Sequence, residues 1–141
     1  MPLLTPQYDF HRIEEIPTDF FIRHGIRALL LDVDNTLTGD NSQEIKPEVM
    51  DWLERQRAAG LRLFVISNNH ELRVAPFANR LGLGYIADAA KVKKTKPDPE
   101  VFLVCRDALG LTSGECIGFE DAQAGIEAIH AAGMFAVGIH V

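Results

Sequence analysis

Cysteine is scarce in this sequence, with only Cys105 and Cys116 among 141 residues. They form no Cys-x-x-Cys pair and have no histidine pair beside them, so neither a disulfide nor a zinc site is expected. Both read as core residues, one in a helix and one in a buried strand. Long apolar runs are missing too. Stretches such as Ala28 to Leu31 are far too short to cross a bilayer, and Met1 is not followed by the basic and then apolar segments of a secretory signal. The expected location is therefore cytoplasmic, with no transmembrane segment. No block of Lys or Arg stands out in a chain of net charge −6, which argues against a nucleic-acid partner. The five histidines (His11, His24, His70, His130 and His140) show neither His-x-His nor His-Glu-x-x-His spacing. Gly-x-Gly-x-x-Gly, a phosphate loop with Gly-Lys-Ser/Thr and a Gly-x-Ser-x-Gly elbow are all absent. Dinucleotide-binding enzymes, P-loop enzymes and serine hydrolases are disfavoured accordingly.

What is present is a 47% hydrophobic chain of the right length for one compact soluble domain spanning residues 1–141. After residue 27, short apolar runs alternate with segments of helical period, the signature of an α/β fold with a parallel sheet. Five strands are expected: Ala28 to Asp32, Leu61 to Ile66, Tyr85 to Ala87, Cys116 to Phe119 and Phe135 to Ile139. Their hydrophobicity is continuous, which means burial on both faces. Four helices lie between them. The first opens with Pro47, carries Val49, Trp52, Leu53 and Gln56 at helical spacing, and stops at Gly60. The second starts near Pro76 and ends at Leu81 before Gly82. The third takes Asp98 as N-cap and Pro99 in its first turn and ends at Gly110. The fourth runs from Asp121 to just before Gly133, with Ile126 and Ile129 turned inward. Residues 1–27 mix Tyr8, Phe10, Ile13, Ile16, Phe20, Phe21 and Ile22 with charges of both signs. They are expected to form an N-terminal extension packed on the core across the sheet edge. A docking face for a membrane surface or a partner is the weaker reading, since the acidic total charge does not favour anionic lipid.

The polar residues gather where chemistry is expected, because the C-terminal ends of strands in an open parallel sheet face a shared crevice. The first strand ends in Asp32-Val33-Asp34-Asn35-Thr36, whose two carboxylates share one side of an extended chain. The second ends in Ser67-Asn68-Asn69, Lys96 precedes the third helix, and the fourth strand ends in Glu120-Asp121. Each group suits phosphoryl transfer. Asp32 is the candidate nucleophile, dividing hydrolysis into two steps through an aspartyl-phosphate. Several carboxylates on one rim stay ionised together only around a cation, and oxygen-only ligands point to Mg2+. Ser67 is placed to donate to a phosphate oxygen, and Lys96 to neutralise charge in the transition state. Taken singly, Asp-x-Asp, Ser-Asn-Asn and Glu-Asp are ordinary turn and capping residues. Their ordered placement at four strand-to-helix junctions carries the weight.

These four segments resemble the motifs of the haloacid dehalogenase superfamily over the span from Ala28 to the C-terminus. The resemblance implies a three-layer, Rossmann-like core. It makes Asp32 the nucleophile and a metal ligand, and Asp34 the general acid and base that also gives the metal its backbone carbonyl. Asp121, with Glu120, completes the magnesium site, while Ser67, the Asn68 backbone and Lys96 hold the phosphoryl group. Residues 2–91, with Leu29 to Leu37 and Val65 to Asn69, look like the small class IIIA phosphatases that include phosphatidylglycerophosphate phosphatase. Lys96 to Phe102 and Gly118 to Gly125 look more like beta-phosphoglucomutase. The junction at 91–96 is either natural variation or an assembled chimera. Relatives usually continue past the fifth strand, so a closing helix is expected to be missing.

Members acting on small metabolites often insert a cap after the first motif or between the second and third. Neither gap here, Thr36 to Ser67 or Ser67 to Lys96, has room for one, so no cap domain and an open site are expected. A mutase must keep water from its intermediate, which an open site does not do. The expected function is therefore Mg2+-dependent hydrolysis of a phosphomonoester, on phosphatidylglycerophosphate, another lipid phosphate or a phosphorylated small molecule. Peripheral membrane contact is compatible with the lipid substrate. Two competitors stand beside it. One is a non-catalytic or chimeric scaffold on the same fold. The other is a phosphoryl-accepting receiver, whose accepting Asp should end the third strand; here that strand ends near Ala87-Asp88 with no serine or threonine ending the fourth, and the order of motifs disfavours it.

Overall fold

The computed structural model describes residues 8–10, 12–32, 46–67, 79, 84–87, 98–120 and 122–139; at 8, 9, 32, 67 and 84–87 only the backbone is described. Six strands lie side by side, all pairing in parallel: β1 (Tyr8–Phe10), β2 (Ala28–Asp32), β3 (Arg62–Ser67), β4 (Gly84–Ala87), β5 (Cys116–Glu120) and β6 (Phe135–Ile139). Their spatial order is β1-β6-β5-β2-β3-β4. Five of them occupy the segments expected from the sequence, to within a residue. Among the described residues there are six strands and not the expected five, because the N-terminal segment supplies an edge strand that pairs Tyr8 with Val137 and Phe10 with Ile139. Three residues of mixed character carry too short a pattern to read as a strand; the ladder offered by β6 decides it.

From β2 the chain moves outward to β3 and β4, then returns to the other side of β2 for β5 and β6. The direction reverses, and so does the covered face. Helix α2 (Pro47–Ala58) lies on one face together with α1 (Thr18–Arg23), while α3 (Glu100–Leu109) and α4 (Gln123–Ala131) lie on the other. A right-handed crossover taken in the opposite direction must put its helix on the opposite face. The result is three layers, with side chains of each strand alternating between two cores. Leu29, Leu31, Leu63, Val65, Ile117 and Phe119 join the α1/α2 core, and Ala28, Leu30, Ile66 and Cys116 join the α3/α4 core.

Local signals explain the helix ends. Pro47 opens α2 after an extended Lys46, and Gly60, at φ 93°, stands in the left-handed region just past its end. Helix α3 begins one residue later than expected: Pro99 sits at the cap position while the Asp98 carboxylate accepts the Glu100 N–H at 3.0 Å. Gly110, at φ 70°, closes it. Helix α4 starts at Gln123 and not at Asp121, because β5 runs on through Glu120 and leaves Ala122 at the cap. The second expected helix, Pro76 to Leu81, falls outside the described residues apart from the single position 79.

Residues 12–27 are part of the core. Ile13, Ile16, Phe20, Phe21 and Ile26 are all buried. The buried Trp52 indole donates to the Ile16 carbonyl at 2.7 Å, Gln56 donates to the Trp52 carbonyl at 3.1 Å, and the Thr18 hydroxyl donates to the Gln56 amide oxygen at 3.0 Å. Edge-on ring contacts tie the same region to the central sheet, with Phe21–Trp52 at 6.1 Å, Phe21–Phe119 at 6.0 Å and Trp52–Phe119 at 6.4 Å. Each such pair adds about 0.5–1.5 kcal/mol beyond the area it buries. Among the described residues no helix is long and apolar enough to cross a membrane. Ile22 is the one large apolar side chain described as exposed.

Two predictions follow from this packing. Trp52→Phe strands the buried Ile16 carbonyl, and urea denaturation should show a loss of at least about 1–3 kcal/mol with the m value unchanged. Both cysteines are buried and neither is in a disulfide, and burial, with the neighbouring Glu115 charge, pushes the Cys116 thiol up from 9.0 to about 11. The folded state then holds its proton more tightly than the unfolded one, so this contribution to stability is complete below pH 9 and is lost as pH rises towards 11. Urea midpoints measured between pH 8 and 11 should fall less steeply in Cys116→Ala than in the parent chain.

Candidate active site

The strand order reverses between β2 and β5, the position where open parallel sheets usually bind ligands beyond their C-terminal strand ends. Three sequence-identified residues end β2 and the strands on either side of it. Asp32 closes β2, Ser67 closes β3 and Glu120 closes β5. Asp32 is in register with Ile66, so Ser67 lies one residue further along the neighbouring strand. On the other side Leu31 is in register with Phe119, which puts Glu120 one step on, level with Asp32. Neighbouring strands lie about 4.8 Å apart, so the three tips fall within roughly 10 Å of one another at a single sheet edge. Asp34, Asn68, Lys96 and Asp121 lie outside the described residues.

Glu120 is one of two polar residues in the buried set, at 2% exposure, and its place follows from strand alternation. Phe119 is turned into the α1/α2 core, so Glu120 is turned towards α3 and α4. There its side chain lies against Gly125 in the first turn of α4: a β-carbon at position 125 would overlap Glu120 Cγ, Cδ and Oε2. One turn on, Ile129 of the same helix lies where a β-carbon of Gly118 would meet its Cδ1 and Cγ1 at 2.7 Å. Helix α4 thus approaches β5 closely at two positions that lack a side chain. The positive end of a helix also favours a carboxylate beside its first turn.

Gly125 is the site feature that reading for reactive side chains passes over. Its signal in the sequence is indirect. Glycine inside a helix is about 1 kcal/mol less favourable than alanine, so its presence there calls for a steric reason. Among the described residues no group of three or more His, Cys, Asp or Glu side chains is gathered tightly enough to hold a metal ion. The described part of the site is therefore the backbone ends at Asp32 and Ser67 and the buried carboxylate of Glu120. The one described side chain among them is an oxygen donor, of the kind that suits a hard cation.

Residues 39–133 match a protein family described as haloacid dehalogenase-like hydrolase. Over 54 residues the chain is 48% identical to a beta-phosphoglucomutase of Bacillus subtilis, covering 38% of this chain and 24% of that protein. Over 87 residues it is 37% identical to a fructose-1-phosphate phosphatase of Escherichia coli, covering 58% of this chain and 46% of that protein. The chain thus spans less than half the length of these curated relatives. A crystal structure of beta-phosphoglucomutase from Clostridium difficile superposes with a TM-score of 0.62 at 22% identity, over 80% of this chain and 84% of that one.

Proposed function

The chain belongs to the haloacid dehalogenase-like hydrolase family, and on that premise we propose that it is a Mg2+-dependent phosphomonoester hydrolase acting through an aspartyl-phosphate on Asp32. The observation that carries this reading is that Asp32, Ser67 and Glu120 end three adjacent parallel strands on one edge of the sheet, at the point where the strand order reverses. Relatives with phosphatase and phosphomutase names support phosphoester chemistry in general.

Mg2+ suits the residues present. Glu120 brings a buried carboxylate to the edge, Gly125 leaves the space it occupies, and every candidate ligand is an oxygen. Asp32, the Asp34 carbonyl, Glu120 and Asp121 would hold the ion. Its chemistry is to screen the negative charge of phosphate and carboxylates as they approach. Ser67, the Asn68 amide and Lys96 bind and orient the phosphoryl group. Asp32 attacks phosphorus, forming the bond to its carboxylate oxygen as the bond to the ester oxygen breaks, and Asp34 protonates that leaving oxygen. Asp34 then takes a proton from water, which attacks the acyl phosphate, releasing inorganic phosphate and restoring Asp32.

The short gaps between motifs favour a site without a cap, one that admits a large or lipid-borne phosphate such as phosphatidylglycerophosphate. The class IIIA likeness of the N-terminal two-thirds points the same way. Small phosphate esters with loose selection are the alternative within this activity. A cytoplasmic location fits both.

Two measurements test the reading. Asp32→Asn should lower Mg2+-dependent release of p-nitrophenol from p-nitrophenyl phosphate by at least roughly a thousandfold, and turnover close to that of the parent chain would refute the nucleophile. Glu120→Gln preserves shape and removes charge, and should raise the Mg2+ concentration for half-maximal activity by about tenfold or more. An unchanged Mg2+ requirement would remove Glu120 from the metal site.

A further inference from the structure

We infer that Gly125 is a positioning residue for the metal site: the absence of a β-carbon there holds the Glu120 carboxylate where a divalent cation requires it. This rests on the reading of Glu120 as a metal ligand given above. A β-carbon at 125 would overlap the Glu120 side chain along its length, at Cγ and Cδ as well as at Oε2. Rotation of the carboxylate tip does not relieve such an overlap. Either the whole side chain leaves its rotamer or α4 lifts from β5.

The helix is the less yielding of the two. Ile126, Ala128 and Ile129 are buried beneath it, and Ile129 fills the space over Gly118. The backbone of Glu120 is equally constrained, because it pairs with Gly138 of β6 and follows Phe119, which is enclosed by Phe21 and Trp52. With both backbones held, a new methyl group displaces the carboxylate. A bland alternative is that Gly125 only allows close helix–strand packing, as Gly118 does. That role would cost stability and leave metal affinity alone.

The test is a titration of the full chain with Mg2+ alone, read as the rise in unfolding midpoint of each variant over its own metal-free midpoint. Gly125→Ala is expected to weaken apparent Mg2+ affinity roughly 10- to 100-fold. Glu120→Asp draws the carboxylate back by one methylene, so it should weaken Mg2+ binding when Gly125 is intact yet strengthen it when combined with Gly125→Ala. That reversal of sign is not produced by a packing role. Parental Mg2+ affinity in Gly125→Ala, or the same weakening by Glu120→Asp in both backgrounds, overturns the inference. If Gly125→Ala does not fold, the double variant decides: a folded, Mg2+-responsive protein supports the inference, and an unfolded or unresponsive one overturns it. Lack of any Mg2+ response in the parent chain instead defeats the metal-site reading itself, and this inference with it.

Discussion

At the tip of β5 two neighbouring side chains are sent to opposite faces, and the candidate site depends on that divergence. Phe119 enters one core, edge-on to both Phe21 and Trp52. Alternation along an extended strand then turns Glu120 into the other layer, against the first turn of α4. A strand slipped by one residue would bury the carboxylate among aromatic rings and point the phenylalanine at the crevice. The aromatic cluster therefore fixes the register of the strand that carries the buried Glu120 side chain.

That cluster draws one ring from each of three segments far apart in the chain, and this gives the N-terminal segment its structural meaning. Phe21 comes from α1, and the neighbouring turn is fastened to α2 by the Trp52 indole on the Ile16 carbonyl. The same segment adds β1 beside β6 at the sheet's outer edge. It thus extends the sheet and closes one of its two faces. The second face is closed by α3 and α4, and the close approach of α4 to β5 comes from glycine on the strand and glycine on the helix.

Family membership and site geometry support the same chemistry from separate directions. The family match covers residues 39–133, which take in Ser67, Lys96, Glu120 and Asp121 but begin after Asp32 and Asp34. The place of Asp32 comes from the fold. It ends the strand on either side of which β3 and β5 are laid, next to the end of β5 that carries Glu120. Asp32 and Glu120, the proposed nucleophile and metal ligand, end neighbouring strands although 88 residues separate them in sequence, the difference between positions 120 and 32.

The sequence by itself determined the strands from β2 onward, the faces of α2 and α4, and the places of Asp32, Ser67 and Glu120 at strand ends. Continuous apolar runs, helical spacing and Pro/Gly stops are local signals, and they act over a few residues. Only the tertiary structure decided that Tyr8–Phe10 is a strand, that α4 begins at Gln123, and that Glu120 is buried against Gly125. A three-residue edge strand exists because a partner ladder is present, and a side chain is absent from position 125 because another fills its space. Neither cause lies within a local window of sequence; both arise when distant segments are brought into contact.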